Sequence, residues 1–572
     1  MRSHAMTRFR LVRLALLMGA VLASLPADGA SRDPVRARHG MVGSTDEHAS
    51  RAGVQILRQG GNAVDAAVAV GFALAVTHPA AGNLGGGGFM VIRLADGRET
   101  TIDYREKAPA AATRNMFLDA SGAVVAARSR VGALAAGVPG SVAGLSLAQK
   151  TYGRLSLQAV IAPAVTLARD GFEVSWALAD SLSRAQGLLE RFPASARAFR
   201  RPDGTPLAAG DRLVQPDLAR TLEQVAAQGP DAFYRGAIAD LIASEMARSG
   251  GLITKADLAA YAAIERAPVA GTYRGHRVIS MGPPSSGGIA LLQLLNILEP
   301  FPLREYGHNS SRTIHLVAEA ARRVYADRSQ WLGDPDFFDV PVAGLISRPY
   351  AEQRRSTISE TRATPSRDIG PGQPRGFEHS DTTHYSVVDA EGTAVATTTT
   401  LNGSYGNGQM VEGAGFLLNN EMDDFSAKPG VPNMFGLIGG EANAVAPAKR
   451  MLSSMTPAIL VKDGRTRLVL GSPGGSRIIT TVLQVVLNVV DFEMTVQEAV
   501  DAPRFHHQWL PDAIRIERRG FPADVVTALE AMGHAIDRND DMGDVHAIMI
   551  DPATGLRLGA SDPRLDGRTL GY

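Results

Sequence analysis

The chain has 572 residues, 45% of them hydrophobic and 20% charged, which excludes intrinsic disorder and is long enough for a large core or several domains. Basic and acidic residues balance at 58 each, so no net positive field draws the protein to nucleic acid or an anionic membrane surface, and a small-molecule partner is expected. Cysteine is absent, which excludes disulfide frameworks, thiolate zinc sites and cysteine nucleophiles, leaving Ser, Thr, Lys or a carboxylate for covalent chemistry.

The N-terminus, residues 1–30, reads as a signal peptide: a basic opening, an apolar run from Leu14 to Leu25, then small residues. The run is shorter than the roughly 20 residues needed to span a bilayer, so removal between Ala27 and Ala30 is expected rather than anchoring. This places the mature protein outside the cytoplasm, periplasmic or secreted.

From Asp46 to His78 the pattern predicts a helix, a Gly60-Gly61 break and a second helix that is apolar almost all round and therefore buried. Pro79 ends it. The glycine run from Gly85 to Gly88 then feeds a predicted strand from Phe89 to Leu94 and permits close backbone approach. It matches neither GxGxxG nor GxxxxGK[ST], and a helix rather than a strand precedes it, which argues against a phosphate loop.

The middle, Val142 to Asp327, is mostly helical by pattern, including Ala237 to Met246 and Ser311 to Arg328. A long polar linker, Arg355 to Asp381, follows and reads as easily cut or displaced. Beyond it the period changes to two. His384 to Asp389 and Thr393 to Leu401 predict one hairpin, and Ala458 to Val461 with Thr466 to Leu470 predict another. Helices from Ile478 to Val490 and Ala523 to Met532 and a closing hairpin after His546 complete an α+β pattern, a sheet sandwich covered by helices.

The most informative position is Thr382, a hydroxyl residue where the linker meets the first strand of the C-terminal part. Breakage of the Asp381–Thr382 bond would give Thr382 a free α-amino group, with a reference pKa of roughly 7.7–8.0, able to serve as base for its own hydroxyl. Adjacent glycine amides at Gly474-Gly475, opening a helix, fit an oxyanion hole, although a tight turn explains them equally well. Ser453-Ser454 are hydroxyl donors or ordinary turn residues, and Asp423-Asp424 are ligands or a solvated turn. No GxSxG elbow and no HExxH occurs. The adjacent His506 and His507 are badly spaced for one metal and read as structural, so no metal or other cofactor is expected.

Several long segments, in order, carry a resemblance: GGNAVDAAVAVGFALAVTHP, GNLGGGGFM, DYREKAP, DTTHYSVVD, LLNNEMDDFSAKPGVPN, RMLSSMTP, GSPGGSRIITTVLQ and DAPRFHHQWLPD. Together they are similar to bacterial γ-glutamyltranspeptidases, of the N-terminal nucleophile hydrolase superfamily, across nearly the whole mature chain. The resemblance implies a four-layer αββα sandwich and self-cleavage after Asp381 into a large piece, residues 31–381, and a small catalytic piece, residues 382–572, that remain together as a heterodimer. It implies Thr382 as nucleophile, Thr400 as support for its hydroxyl, and Gly474 and Gly475 as oxyanion donors. Arg105, Ser453 and Ser454 would hold the α-carboxylate of a γ-glutamyl substrate such as glutathione, and Asn402, Glu421 and Asp424 its α-ammonium. Water or an amino acid or peptide would then accept the γ-glutamyl group.

Two positions depart from the family pattern. Glu421 stands where some bacterial relatives have glutamine, and a carboxylate there still suits an ammonium group. Phe435, in the lid-like segment Pro429 to Gly440, stands where relatives with this loop usually have tyrosine, and it lacks a hydroxyl for gating. Two other readings stay open: a cephalosporin or glutaryl acylase of the same superfamily, for which an ammonium subsite would be wasted, and a non-catalytic periplasmic protein that binds γ-glutamyl compounds.

Overall fold

Alternation along the strands sets the architecture. In Gly87–Arg93, Phe89 and Val91 enter one apolar cluster while Met90 and Ile92 enter another. In Ala458–Lys462, Ile459 and Val461 join Phe89 and Val91, whereas Ala458 and Leu460 face the opposite way. Successive side chains of a strand point to opposite faces, so two sheets meet over the shared cluster and each turns its other apolar face to helices. The computed structural model describes residues 31–374, 384–539 and 541–572. The expected signal peptide and the Asp381–Thr382 pair lie outside the described residues.

One seven-stranded sheet runs in spatial order Val35–Ala37, Arg557–Ser561, His546–Ile550, Arg465–Leu470, Ala458–Lys462, His276–Ser280, Val269–Tyr273. The other runs Arg568–Gly571, Met41–Ser44, Tyr385–Val388, Ala394–Thr400, Gly87–Arg93, Glu99–Asp103, Ile264–Arg266. Every pairing in both is antiparallel. Helices Ala63–Thr77 and Ser141–Tyr152 lie on the second sheet with Leu157–Asp170 behind them. Gly287–Leu298 lies on the first, with Ser311–Trp331 and Ile478–Val490 packed against it. The layers are therefore αββα, as expected.

Local chemistry explains the element that reaches deepest. Asn62 caps Ala63–Thr77 by accepting from the Val64 and Asp65 amides, and the Asp65 carboxylate reaches back to the Asn62 amide. Every residue of that helix is buried. The Gly85–Gly88 run then passes so close to the neighbouring chain that a methyl group at Gly86 would collide with the Thr400 carbonyl, and one at Gly88 with the Thr398 carbonyl. Glycine is required there by contact with the strand Ala394–Thr400, register Thr400 to Gly87.

Residues before and after the expected cleavage point interleave in both sheets. Tyr385–Val388 lies between Met41–Ser44 and Ala394–Thr400, and Ala458–Lys462 pairs with His276–Ser280. Pro34–Tyr572 is one compact unit.

The structure departs from the sequence reading in two places. The stretch expected to be helical contains the strands Ile264–Arg266, Val269–Tyr273 and His276–Ser280. The last two join through Arg274 and Gly275, both left-handed at φ 47° and 77°. An arginine at the first hairpin position, where Asn or Asp is usual, conceals the turn. The linker is also less free than expected: a helix runs to Arg355, and the stretch from 356 to 374 is tied down. The Ser366 amide donates to Asp512 Oδ2 and the Gly372 amide to Asp327 Oδ1, both at 2.7 Å, while Trp509 Nε1 donates to the Ser366 carbonyl at 2.9 Å.

Among the described residues no helix is long and apolar enough to cross a membrane. Gly86→Ala is expected to destabilise the fold by about 1–3 kcal/mol or more, read as a lower urea midpoint. Gly370→Ala, whose added methyl would meet open space, should leave that midpoint unchanged.

Candidate active site

Arg105 follows the strand Glu99–Asp103 and has no exposed surface. A guanidinium taken wholly out of water needs counter-charges and acceptors at hydrogen-bond distance. It finds them in the turn Glu421–Asp424: Nη1 donates to Glu421 Oε1, Nη2 donates to Asp424 Oδ2 at 2.7 Å, and Nε donates to the Met451 carbonyl at 3.2 Å. The groups expected at opposite poles of a zwitterion site are thus brought together and neutralise each other directly.

A third carboxylate joins them. Glu106 is fully buried, its Oε2 lies 3.6 Å from Arg105 Nη1, and neither of its oxygens has a hydrogen-bond donor. Burial pushes Glu106 up to about 7 against the pull of Arg105, and burial likewise pushes Asp424 up to about 6. Burial holds Glu421 well above the usual carboxylate range, again with Arg105 opposing. Arg105 faces three buried acids, and their burial favours retained protons.

The remaining expected residues converge around this cluster. Asn402 is left-handed at φ 75°. Its amide donates to Thr400 Oγ1 at 2.6 Å, and its Nδ2 donates to the Asn420 carbonyl at 3.0 Å. Within the described residues, Thr400 therefore shapes the turn that presents Asn402. Asn419 braces the acidic turn from behind, its Oδ1 accepting from the Glu421 amide at 3.1 Å and its Nδ2 donating to the Gly85 and Gly137 carbonyls at 2.8 Å. Ser453 and Ser454 are buried, and Ser453 Oγ has no partner.

Gly474 and Gly475 have φ 134° and 57° and lead through a short 3-10 turn into Ile478–Val490. The ring of Phe435 lies over Gly475, where a methyl would come within 2.5 Å of Phe435 Cδ1. The lid segment is held without a hydroxyl at residue 435: the Met434 amide donates to Asp423 Oδ2 at 2.8 Å, Asn433 Nδ2 to Asp424 Oδ1 at 3.1 Å, and Gln508 Nε2 to the Phe435 carbonyl at 3.2 Å.

Sequence reasoning missed the support behind the serines. Arg328, from the helix Ser311–Trp331, donates through Nε to Ser286 Oγ at 2.9 Å and through Nη2 to Ser454 Oγ at 3.4 Å. Ser286 Oγ in turn donates to the Ser453 carbonyl at 2.8 Å. The run PPSSGG, residues 283–288, before a buried helix was the available signal. His506 and His507 are both buried and hydrogen-bonded within the protein. His506 Nδ1 pairs with Thr480 Oγ1 at 2.7 Å, and the Trp509 amide donates to His507 Nδ1 at 3.1 Å. His315, Glu319 and His534 could offer a metal donors within 4.8 Å of one another, but Glu319 is already ion-paired to Arg322 and Arg323, which supply the positive charge.

Residues 49–572 match the family described as gamma-glutamyltranspeptidase. The chain belongs to the gamma-glutamyltranspeptidase family. It is 55% identical over 540 residues, 94% of this chain and 93% of the relative, to the glutathione hydrolase proenzyme of Escherichia coli (strain K12). Among solved structures it is similar to a cephalosporin acylase from Bacillus halodurans, with TM-score 0.84 and 29% identity over 96% of this chain and 98% of that one. It is also similar to Helicobacter pylori gamma-glutamyltranspeptidase, with TM-score 0.57 and 46% identity over 61% of this chain and 97% of that one. The αββα sandwich of this gamma-glutamyltranspeptidase family member is accordingly of the N-terminal nucleophile hydrolase type.

Glu106 binds its proton more tightly in the folded protein than in the unfolded chain. Its contribution thus favours folding fully below about pH 4.5 and is lost as pH rises through about 7. Glu106→Gln is therefore expected to flatten the fall of the thermal midpoint between pH 5 and 7.5, measured by scanning calorimetry on both proteins.

Proposed function

We propose that the protein is a self-processing γ-glutamyltransferase and glutathione hydrolase, and that Thr382 is its nucleophile. In processing, Thr382 Oγ attacks the Asp381 carbonyl carbon; the C–N bond breaks as the C–O bond forms, the hydroxyl proton passes to the freed amine, and water opens the ester. In turnover the same oxygen attacks the γ-carbonyl of glutathione, cysteinylglycine leaves with the proton, and water or an amino acid or peptide takes the acyl group. Residues 31–381 and 382–572 become the two subunits of a heterodimer held by the shared sheets, and the protein acts in the periplasm or after secretion.

The observation that carries this reading is the buried guanidinium of Arg105 against Glu421 and Asp424. A γ-glutamyl group brings a carboxylate for Arg105 and the two serine hydroxyls, and an ammonium for Glu421, Asp424 and the Asn402 carbonyl oxygen. Its own two charges replace the internal ion pairs, so entry need not leave a buried charge unpaired. The left-handed Gly474-Gly475 turn, under the Phe435 ring, supports the oxyanion assignment, since glycines there let the backbone amides turn toward a developing negative charge. An acylase acting on glutaryl groups would have no ammonium for Glu421 and Asp424, which favours the γ-glutamyl reading over the function named for the B. halodurans relative.

Wild-type protein is expected to run as two fragments on a denaturing gel, one beginning at Thr382, and to release p-nitroaniline from γ-glutamyl-p-nitroanilide. Thr382→Ala should stay full length and release none; product from that variant would overturn the nucleophile assignment. Asp424→Asn should lower kcat/KM for the γ-glutamyl substrate by about thirtyfold or more, ~2 kcal/mol, without lowering turnover of glutaryl-p-nitroanilide. An equal loss on both substrates would count against the ammonium role.

A further inference from the structure

Arg328 is a second buried guanidinium beside the clamp, and it differs from Arg105 in what neutralises it. It lies in the helix Ser311–Trp331, and among the described residues no carboxylate is ion-paired to it; the adjacent Asp327 is taken by Arg354 at 3.1 Å. Its hydrogen bonds go to neutral groups. Nε donates to Ser286 Oγ at 2.9 Å, and Nη2 donates to the Ser453 carbonyl and to Ser454 Oγ, each at 3.4 Å. A buried cation without a counter-ion is costly unless an anion completes the site. The charge is felt at the clamp: burial raises the pKa of Asp424, Arg105 opposes most strongly, and Arg328 is a further opposing charge.

The serines show where that anion fits. Ser286 donates to the Ser453 carbonyl through Oγ at 2.8 Å and through its amide at 3.2 Å, and Ser285 Oγ donates to the Met455 carbonyl, so the backbone of Ser453-Ser454 is fixed from behind. Ser454 Oγ accepts from Arg328, which leaves its own proton to donate, and no acceptor for that proton is found among the described residues. Ser453 Oγ, also buried, has no partner. Two buried hydroxyls with protons to give, beside a cation without a counter-ion, suit one carboxylate. At 3.4 Å the Nη2 contacts are long for hydrogen bonds, so Arg328 acts on Ser454 through charge and orientation more than through a tight bond.

We propose that Arg328 is a positioning residue for donor recognition: it turns the Ser454 hydroxyl toward the substrate α-carboxylate and makes the pocket require that carboxylate. This rests on the γ-glutamyl reading above. Arg105 and the two hydroxyls touch the carboxylate, whereas Arg328 acts through Ser454 and through the backbone that carries both serines. A donor lacking the carboxylate leaves Arg328 without its counter-charge and gains nothing from it.

The test compares γ-glutamyl-p-nitroanilide with 4-aminobutanoyl-p-nitroanilide, which has the same acyl chain and ammonium without the α-carboxylate. Arg328→Met is expected to raise KM for the γ-glutamyl substrate by about tenfold or more, with kcat within about threefold of wild type. On the aminobutanoyl substrate kcat/KM should stay within about twofold, so the preference for the carboxylate collapses. Arg328→Lys keeps a charge and should hold that preference at least about threefold above that of Arg328→Met. An equal loss on both substrates, a fall in kcat with KM unmoved, or a lysine variant no better than the methionine one would overturn this inference alone. If the wild type does not turn over the aminobutanoyl substrate, the split between KM and kcat and the rescue by lysine, both read on the γ-glutamyl substrate, decide. If Arg328→Met does not fold, Ser286→Ala, which frees Arg328 Nε, is read in the same way; a KM rise of about threefold or more is expected, and an unmoved KM would overturn the inference. Absence of any p-nitroaniline release by the wild type from the γ-glutamyl substrate would overturn the γ-glutamyl reading and this inference with it.

Discussion

The charge of Arg105 is the constraint around which the site is built. A guanidinium with no access to water is tolerable only if acceptors meet its N–H groups at fixed positions, so the turn carrying Glu421 and Asp424 and the carbonyl of Met451 are all drawn to one point. Those segments come from distant parts of the chain, and Met422, Phe425 and Met451 among them share a buried apolar cluster with Ala108 and Phe117. Asn419, Asn420 and Asn443 complete the fixing through their side-chain amides, Asn443 Nδ2 donating to the Asp424 carbonyl and its Oδ1 accepting from the Leu452 amide. The ion cluster and the amide braces depend on each other: without the braces the carboxylates would not be placed, and without the guanidinium three buried acids would repel.

That arrangement also explains why a carboxylate suffices at residue 421 and a phenyl ring at residue 435. Glu421 is held through Oε1 by the Arg105 guanidinium, and its other oxygen remains without a partner among the described residues. Phe435 covers Gly475 by shape, while Asn433 and the Met434 amide fasten the lid to Asp424 and Asp423. The same acidic turn therefore holds both the Arg105 guanidinium and residues 433–434.

What the sequence made legible was local. The Ile478–Val490 helix, the hairpin between Ala458 and Leu470 and the close approach at Gly85 to Gly88 each follow from a pattern contained in a few neighbouring residues. The hairpin around Arg274 and Gly275 was hidden because its turn lacks the usual residue type. Glu106 gave no sign of burial, since a charged residue within REK reads as solvated. Arg328 and Ser286 reach the site from two helices far along the chain, and only the fold brings them behind Ser453 and Ser454. The candidate residues themselves were legible through long family motifs, whereas the groups that hold them were not.

The order of strands in one sheet joins distant parts of the chain edge to edge. Tyr385–Val388, which follows residue 382, borders Met41–Ser44, and Met41–Ser44 borders Arg568–Gly571, the last strand of the chain. The Tyr572 carbonyl then accepts from the His39 amide at 2.7 Å and closes the beginning of the domain onto its end. Tyr385–Val388 is thus shielded on that side by Met41–Ser44, so loosening of Arg568–Gly571 would bare an edge of Met41–Ser44 and leave the pairing of Tyr385–Val388 intact.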